Sequence, residues 1–176
     1  MLAAWALVIG EALSRDAGLD IQPMAADDGI VFRLPDADAV ERLSEFLVPD
    51  PDEVAQIVTE QVGGTALFAG RFRECAARAL LLPRPNPGKR APLWQQRQRS
   101  AQLLEVARHH PRFPIVLETV REVTQDVYDV PGLVELARAL RSGGVRLVEV
   151  VTEQPSPFAA TLLFRYPGAF LYDGDT

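Results

Sequence analysis

The sequence predicts a helix-rich α+β fold, with a small β-hairpin in the N-terminal third and one late strand. Three observations carry this reading. Apolar residues recur at helical spacing over most of the chain. Strict alternation is confined to two short stretches, 30–34 and 145–152. Helix-start signals built from aspartate, proline and a following glutamate punctuate the rest.

The elements follow in order. Trp5, Ile9 and Leu13 fall at i, i+4 and i+8 and predict a helix over 2–16. Ile30, Phe32 and Leu34 alternate with Val31 and Arg33, and Asp28-Gly29 offers tight-turn chemistry, so 20–34 reads as a hairpin. Asp38 with Glu41, and Asp50-Pro51-Asp52-Glu53, open helices of about 38–48 and 51–62, the second closed by Gly63-Gly64. A third helix is expected over 65–82. Four prolines between Pro83 and Pro92 exclude helix there and predict an extended, exposed loop. Helices of about 93–109, 114–128 and 131–141 come next, the last ended by Gly143-Gly144. Residues 145–152 alternate as a strand, and Pro157 starts a helix over 156–166.

Composition narrows the function classes. Hydrophobic residues make up 48% and charged residues 24% of the 176, which are globular proportions. The longest apolar run, Leu2 to Gly10, is about half of the ~20 residues a membrane helix needs, so no membrane partner is expected and the cytoplasm is the default compartment. One cysteine, Cys75, excludes an internal disulfide and gives zinc too few thiolates. The net charge of −6 is polarised: residues 1–70 carry −10, residues 71–112 carry +8, and residues 113–176 carry −4. A local basic block of this size either neutralises the acidic flanks or meets a polyanion. Arginine outnumbers lysine 17 to 1, which suits forked recognition of phosphate or carboxylate.

Catalytic chemistry finds little support. Pro87-Gly88-Lys89-Arg90 resembles part of a phosphate loop, but Pro83 stands where the first glycine is required and Arg90 where the magnesium-binding hydroxyl is required. His109 and His110 are adjacent and point about 100° apart on a helix, so they cannot share a metal. Cys75 lies on an apolar helix face with no signalled base. Glu118, Glu122 and Asp126, with Asp129 beyond, form an acidic row that reads as a solvated face or as a partner for Arg71 and Arg78. No catalytic, cofactor-binding or metal residue is assigned.

The proline loop and the helix after it are the candidate binding surface. Arg84, Lys89 and Arg90 sit on the loop, and Trp94, Arg97 and Arg99 sit on the first two turns of the helix, with Gln95 and Gln96 beside them. Leu93, Ser100, Leu104 and Ala107 form the inner stripe, and Trp94 lies at its edge. A half-exposed indole can stack a base while guanidinium groups hold phosphates. Anchoring of the loop to the core by Trp94 is the alternative, and composition leaves both open.

Residues 65–132 add a resemblance. The stretches ALFAGRFRECAARALLLPR, PGKRAPLWQQR, FPIVLETVRE and QDVYDVPGL are similar to the DEAD/H-associated region of the large helicase-related (Lhr) proteins, and ADDGIVFRLPD upstream and PSPFAATLLF downstream extend the resemblance over nearly the whole chain. The family is one of superfamily 2 helicases that hydrolyse ATP with Mg2+ and move 3′ to 5′ on single-stranded DNA, unwinding duplexes that include RNA–DNA hybrids. The resemblance implies that residues 1–176 form the DEAD/H-associated domain, incomplete at both ends, with the RecA-like motors and winged helix absent from the chain. It implies a nucleic-acid-binding accessory domain that helps hold the translocating strand of single-stranded DNA or of a DNA/RNA hybrid. The alternative is a non-catalytic scaffold that packs on the helicase's winged-helix and motor domains. ATP and Mg2+ would belong to the parent helicase, with no cofactor in this chain.

Overall fold

The computed structural model describes residues 1–18, 21, 23–34, 43–82 and 92–162. They are helix-rich, with one two-stranded antiparallel sheet, as the α+β expectation required. The chain divides into two compact units, Met1–Val58 with Tyr128–Thr176, and Thr59–Val127.

In the first unit, α1 (Leu2–Ala17) buries Ala4, Ala6, Val8, Ile9 and Leu13. Trp5 is half-buried and donates its indole N–H to the Leu47 carbonyl at 3.0 Å. The helix stops at Gly18, whose φ of 67° is left-handed and whose N–H returns to the Leu13 carbonyl. Strands β1 (Met24–Ala25) and β2 (Ile30–Val31) pair with Ala25 opposite Ile30, beside α1. The Ala26 N–H bonds the Gly29 carbonyl, so the turn centres on Asp27-Asp28, one residue earlier than the sequence suggested. Gly29 serves close approach instead: a Cβ there would lie 3.0 Å from Leu162 Cδ1. Residues 43–47 are helical, while the Asp38–Glu41 start signal lies outside the described residues.

Helix α2 (Val54–Val62) begins after a turn in which Asp50 Oδ1 accepts the Asp52 N–H, and it buries Val54, Val58 and Val62. Helix α3 (Ala66–Arg78) opens on Thr65, whose hydroxyl accepts the Phe68 N–H, and it buries Phe68, Phe72, Cys75 and Ala76. It ends four residues before the expected limit of 82. Leu80 turns left-handed (φ 60°), the Leu81 N–H bonds the Ala76 carbonyl, and the Leu80 N–H bonds the Ala77 carbonyl. This is a Schellman cap with leucine where glycine is usual. Pro83 gives the reason, since a residue before proline is pushed out of the helical region and the helix must end ahead of it.

Helix α4 (Leu93–Arg108) follows, burying Ser100, Leu104 and Ala107. Helix α5 (Pro114–Arg121) runs into a π-helical turn, Glu122–Val127, where an unbroken α-helix was expected. The Thr119 and Thr124 hydroxyls donate to the carbonyls of Ile115 and Val120 at 2.6 and 2.8 Å. Such back-bonding competes with the backbone N–H for the same carbonyl and favours a wider turn. Helices α3, α4 and α5 pack together in this second unit.

Helix α6 (Val130–Arg141) belongs to the first unit and packs against α1. Gly143, at φ 76°, ends it as expected. The late strand is a correction. Residues 145–152 lie outside any ladder and are exposed throughout, because an alternating segment becomes a strand only against a partner edge and none occurs among the described residues. Residues 157–162 are helical, with the Ser156 hydroxyl accepting the Ala159 N–H.

Candidate nucleic-acid interface

The structure sorts the arginines of the basic block. Arg71 pairs with Glu74 on its own helix at 2.8 Å. Arg78 pairs with Glu122, the one ion pair between the acidic row and the block among the described residues. Arg108 donates to the Gly63 carbonyl at 3.0 Å and lies 3.6 Å from Glu105. Arg97 and Arg99 are exposed and have no ion-pair partner among the described residues. Arg84, Lys89 and Arg90 lie outside the described residues.

Trp94 stands out from α4, 61% exposed. Anchoring to the core is therefore not its role among the described residues. An open depression of about 280 Å³ lies beside it, lined by Trp94, Gln95, Gln98, Arg99 and Gln102. The helical repeat explains the grouping: Gln98 and Gln102 follow Trp94 at i+4 and i+8, and Arg99 follows Gln95 at i+4. Arg97 does not line the depression. Two residues from Arg99, it projects roughly 160° away around the helix. Gln98 and Gln102 were missed in the sequence; their i+4 and i+8 spacing from Trp94 was the available signal.

The residues of the acidic row have different partners. Glu118 bonds Arg121 at 2.9 Å, and that hydrogen bond holds its carboxyl below the usual carboxylate range. Glu122 is largely covered beside Arg78, and Asp129 caps α6 by accepting the Gly132 N–H. Cys75 is buried, and burial pushes its thiol above the ordinary range, with the Thr119 hydrogen bond opposing. His109 ends α4 with Nδ1 2.9 Å from the Glu105 carbonyl. No group of three or more His, Cys, Asp or Glu among the described residues is placed to hold a metal. No helix among them is long and apolar enough to cross a membrane.

These features define a helix-rich α+β domain that presents an aromatic, amide and guanidinium surface on one helix. Residues 1–159 match the family described as DEAD/H associated, and the chain belongs to it. It is 60% identical over 171 residues to the "Lhr helicase/ probable uracil glycosylase" of Mycolicibacterium smegmatis, and 50% identical over 171 residues to the "Lhr helicase/uracil glycosylase" of Escherichia coli. Each match covers 97% of this chain and 11% of the relative, so the chain spans about a tenth of their length. The solved structure of the Mycobacterium smegmatis helicase Lhr bound to single-stranded DNA and AMP-PNP superposes with a TM-score of 0.82 at 58% identity, over 93% of this chain and 21% of that one.

Proposed function

We propose that this chain is the DEAD/H-associated, nucleic-acid-binding domain of an Lhr-type ATP-dependent 3′ to 5′ helicase, and that it helps hold the single strand along which the motor moves. The observation that carries the reading is the pairing of an exposed Trp94 with Arg99 in one open depression, neither Arg97 nor Arg99 being neutralised by a described carboxylate. A flat π-face accepts any base, and an unpaired guanidinium offers its fork to phosphate. The solved neighbour was bound to single-stranded DNA, which supports the same ligand class here. Arg84, Lys89 and Arg90 would extend the phosphate contacts, and a DNA/RNA hybrid is a further substrate of the reading. ATP and Mg2+ would be held by the motor domains of the longer helicase, in the cytoplasm. The test is single-strand affinity across a salt series. Trp94→Ala is expected to weaken binding roughly fivefold or more without changing the salt slope, since stacking is worth about 1–3 kcal/mol per base and releases few counterions. Equal affinity for wild type and variant would sink the reading.

The scaffold alternative is favoured by a different surface. Val145, Leu147, Val148, Val150, Val151 and Phe158 are exposed, Val151 at 89%. An apolar stretch of this kind suits packing on the winged-helix or motor domains of the same helicase. The two readings concern different residues and are tested separately.

A further inference from the structure

The depression on α4 carries more amide than charge. Three of the five described residues lining it are glutamines, one is Trp94 and one is Arg99, and none is acidic. Phosphate recognition calls for cations. A glutamine amide has no net charge and offers one acceptor oxygen and two N–H donors side by side. That pattern matches a base edge. Adenine presents a donor and an acceptor together at N6 and N7, which one glutamine can satisfy, whereas guanine presents two acceptors there, which suit arginine.

We infer that the depression is a nucleobase-edge site, a conclusion that rests on the strand-holding reading. Trp94 stacks one base of a single strand, Gln98 and Gln102 hydrogen-bond its edge, and Arg99 takes the neighbouring phosphate. Adenine is the preferred base. Gln98 and Gln102 are both exposed, so replacing them leaves the core untouched.

The experiment measures binding of the full 176-residue chain to oligo(dA), oligo(dC), oligo(dT) and an abasic oligomer of the same length, with circular dichroism as a check on folding. Wild type is expected to favour oligo(dA) over oligo(dC) by about fivefold or more, the low end for a glutamine–adenine contact. Gln98→Leu with Gln102→Leu is expected to bring the three bases within about twofold of one another while keeping the salt slope. Trp94→Ala is expected to bring every base down toward the abasic oligomer. Equal wild-type affinity for the three bases, or an adenine preference that survives the double substitution, overturns the base-edge site and leaves strand holding in place. Failure of wild type to bind any of the oligomers overturns strand holding, and this inference with it.

Discussion

Arg78, on the last turn of α3, is ion-paired with Glu122 at the first position of the π-helical turn, and the same guanidinium nitrogen lies 3.2 Å from Cys75 Sγ. The pair ties two elements of the second unit that are 44 residues apart in sequence. Its ends differ: the Arg78 side chain is 57% exposed and that of Glu122 only 15%. Removing the arginine therefore strands a largely covered carboxylate, which costs more than loss of a surface pair. Arg78→Ala is expected to destabilise the chain by about 1–2 kcal/mol, seen as a melting temperature lower by roughly 2–8 °C. Part of that loss is expected to return with Glu122→Gln in the Arg78→Ala background, measured by thermal unfolding. An unchanged melting temperature for the single variant would show that the pair contributes nothing.

Leu80 holds a backbone conformation that costs an L-residue about 1–2 kcal/mol, and its side chain is 61% exposed, so little packing is recovered. Leu80→Gly removes the strain but enlarges the unfolded ensemble by about 0.5–1 kcal/mol. A net stabilisation of about 0.5–1 kcal/mol is expected from these two effects. Urea unfolding checks it through a higher midpoint at unchanged slope; a lower midpoint would mean that the leucine packs in a way its exposure does not show.

Legibility followed the range of the forces involved. Helix α1 was readable because its stripe of Trp5, Ile9 and Leu13 is local, and α6 because Gly143 supplies a left-handed end. The early end of α3 depended on a left-handed cap at Leu80, and the π turn on threonine hydroxyls competing for carbonyls, neither of which alters the apolar period. Residues 145–152 have strand chemistry, but pairing is a tertiary event that alternation cannot supply. At the candidate site, Trp94 was conspicuous by type. Gln98 and Gln102 were not, since neutral amides leave no mark on a charge map. Arg97 and Arg99 were grouped by nearness along the chain, and the turn of the helix separates them.

Asp129 combines two unusual features, a left-handed φ of 49° and a side chain that accepts the Gly132 N–H at 3.2 Å. A Cβ at residue 132 would lie 2.4 Å from Asp129 Oδ2, so the cap depends on glycine there. Asp129→Ala loses the cap, about 1 kcal/mol, and puts a residue with no local hydrogen bond into the left-handed region, about 1 more. Asp129→Asn keeps both the acceptor and the tolerance, and is expected to cost less than about 0.5 kcal/mol. Chemical denaturation of the two variants checks the contrast. Equal losses would rule out the cap as the reason for aspartate.

The exposed valines of 145–151 should govern association. Runs rich in β-branched residues and of low net charge, as here where Arg146 and Glu149 cancel, pair readily with other chains. Val148→Lys with Val151→Lys, at positions 62% and 89% exposed, is expected to reduce self-association at a fixed concentration without lowering the melting temperature. Sedimentation velocity alongside thermal unfolding measures both. A drop in melting temperature would mean that the segment packs within the chain.

Arg97 and Arg99 allow the strand path around α4 to be mapped. Both are exposed and without a described carboxylate partner, but only Arg99 shares the depression with Trp94. Each phosphate contact on a single strand contributes about 0.7 to the slope of log affinity against log salt. If the strand runs through the depression, Arg99→Ala flattens the slope by about 0.7 and Arg97→Ala leaves it close to wild type. If it wraps the helix end toward the loop, both flatten the slope, and their effects add because the side chains leave opposite sides of the helix. The path through the depression is favoured, since the base and its phosphate must be reached together from one side. Loss of slope in Arg97→Ala alone would place the phosphate on the flank of Trp94 that faces away from the depression, out of reach of Arg99.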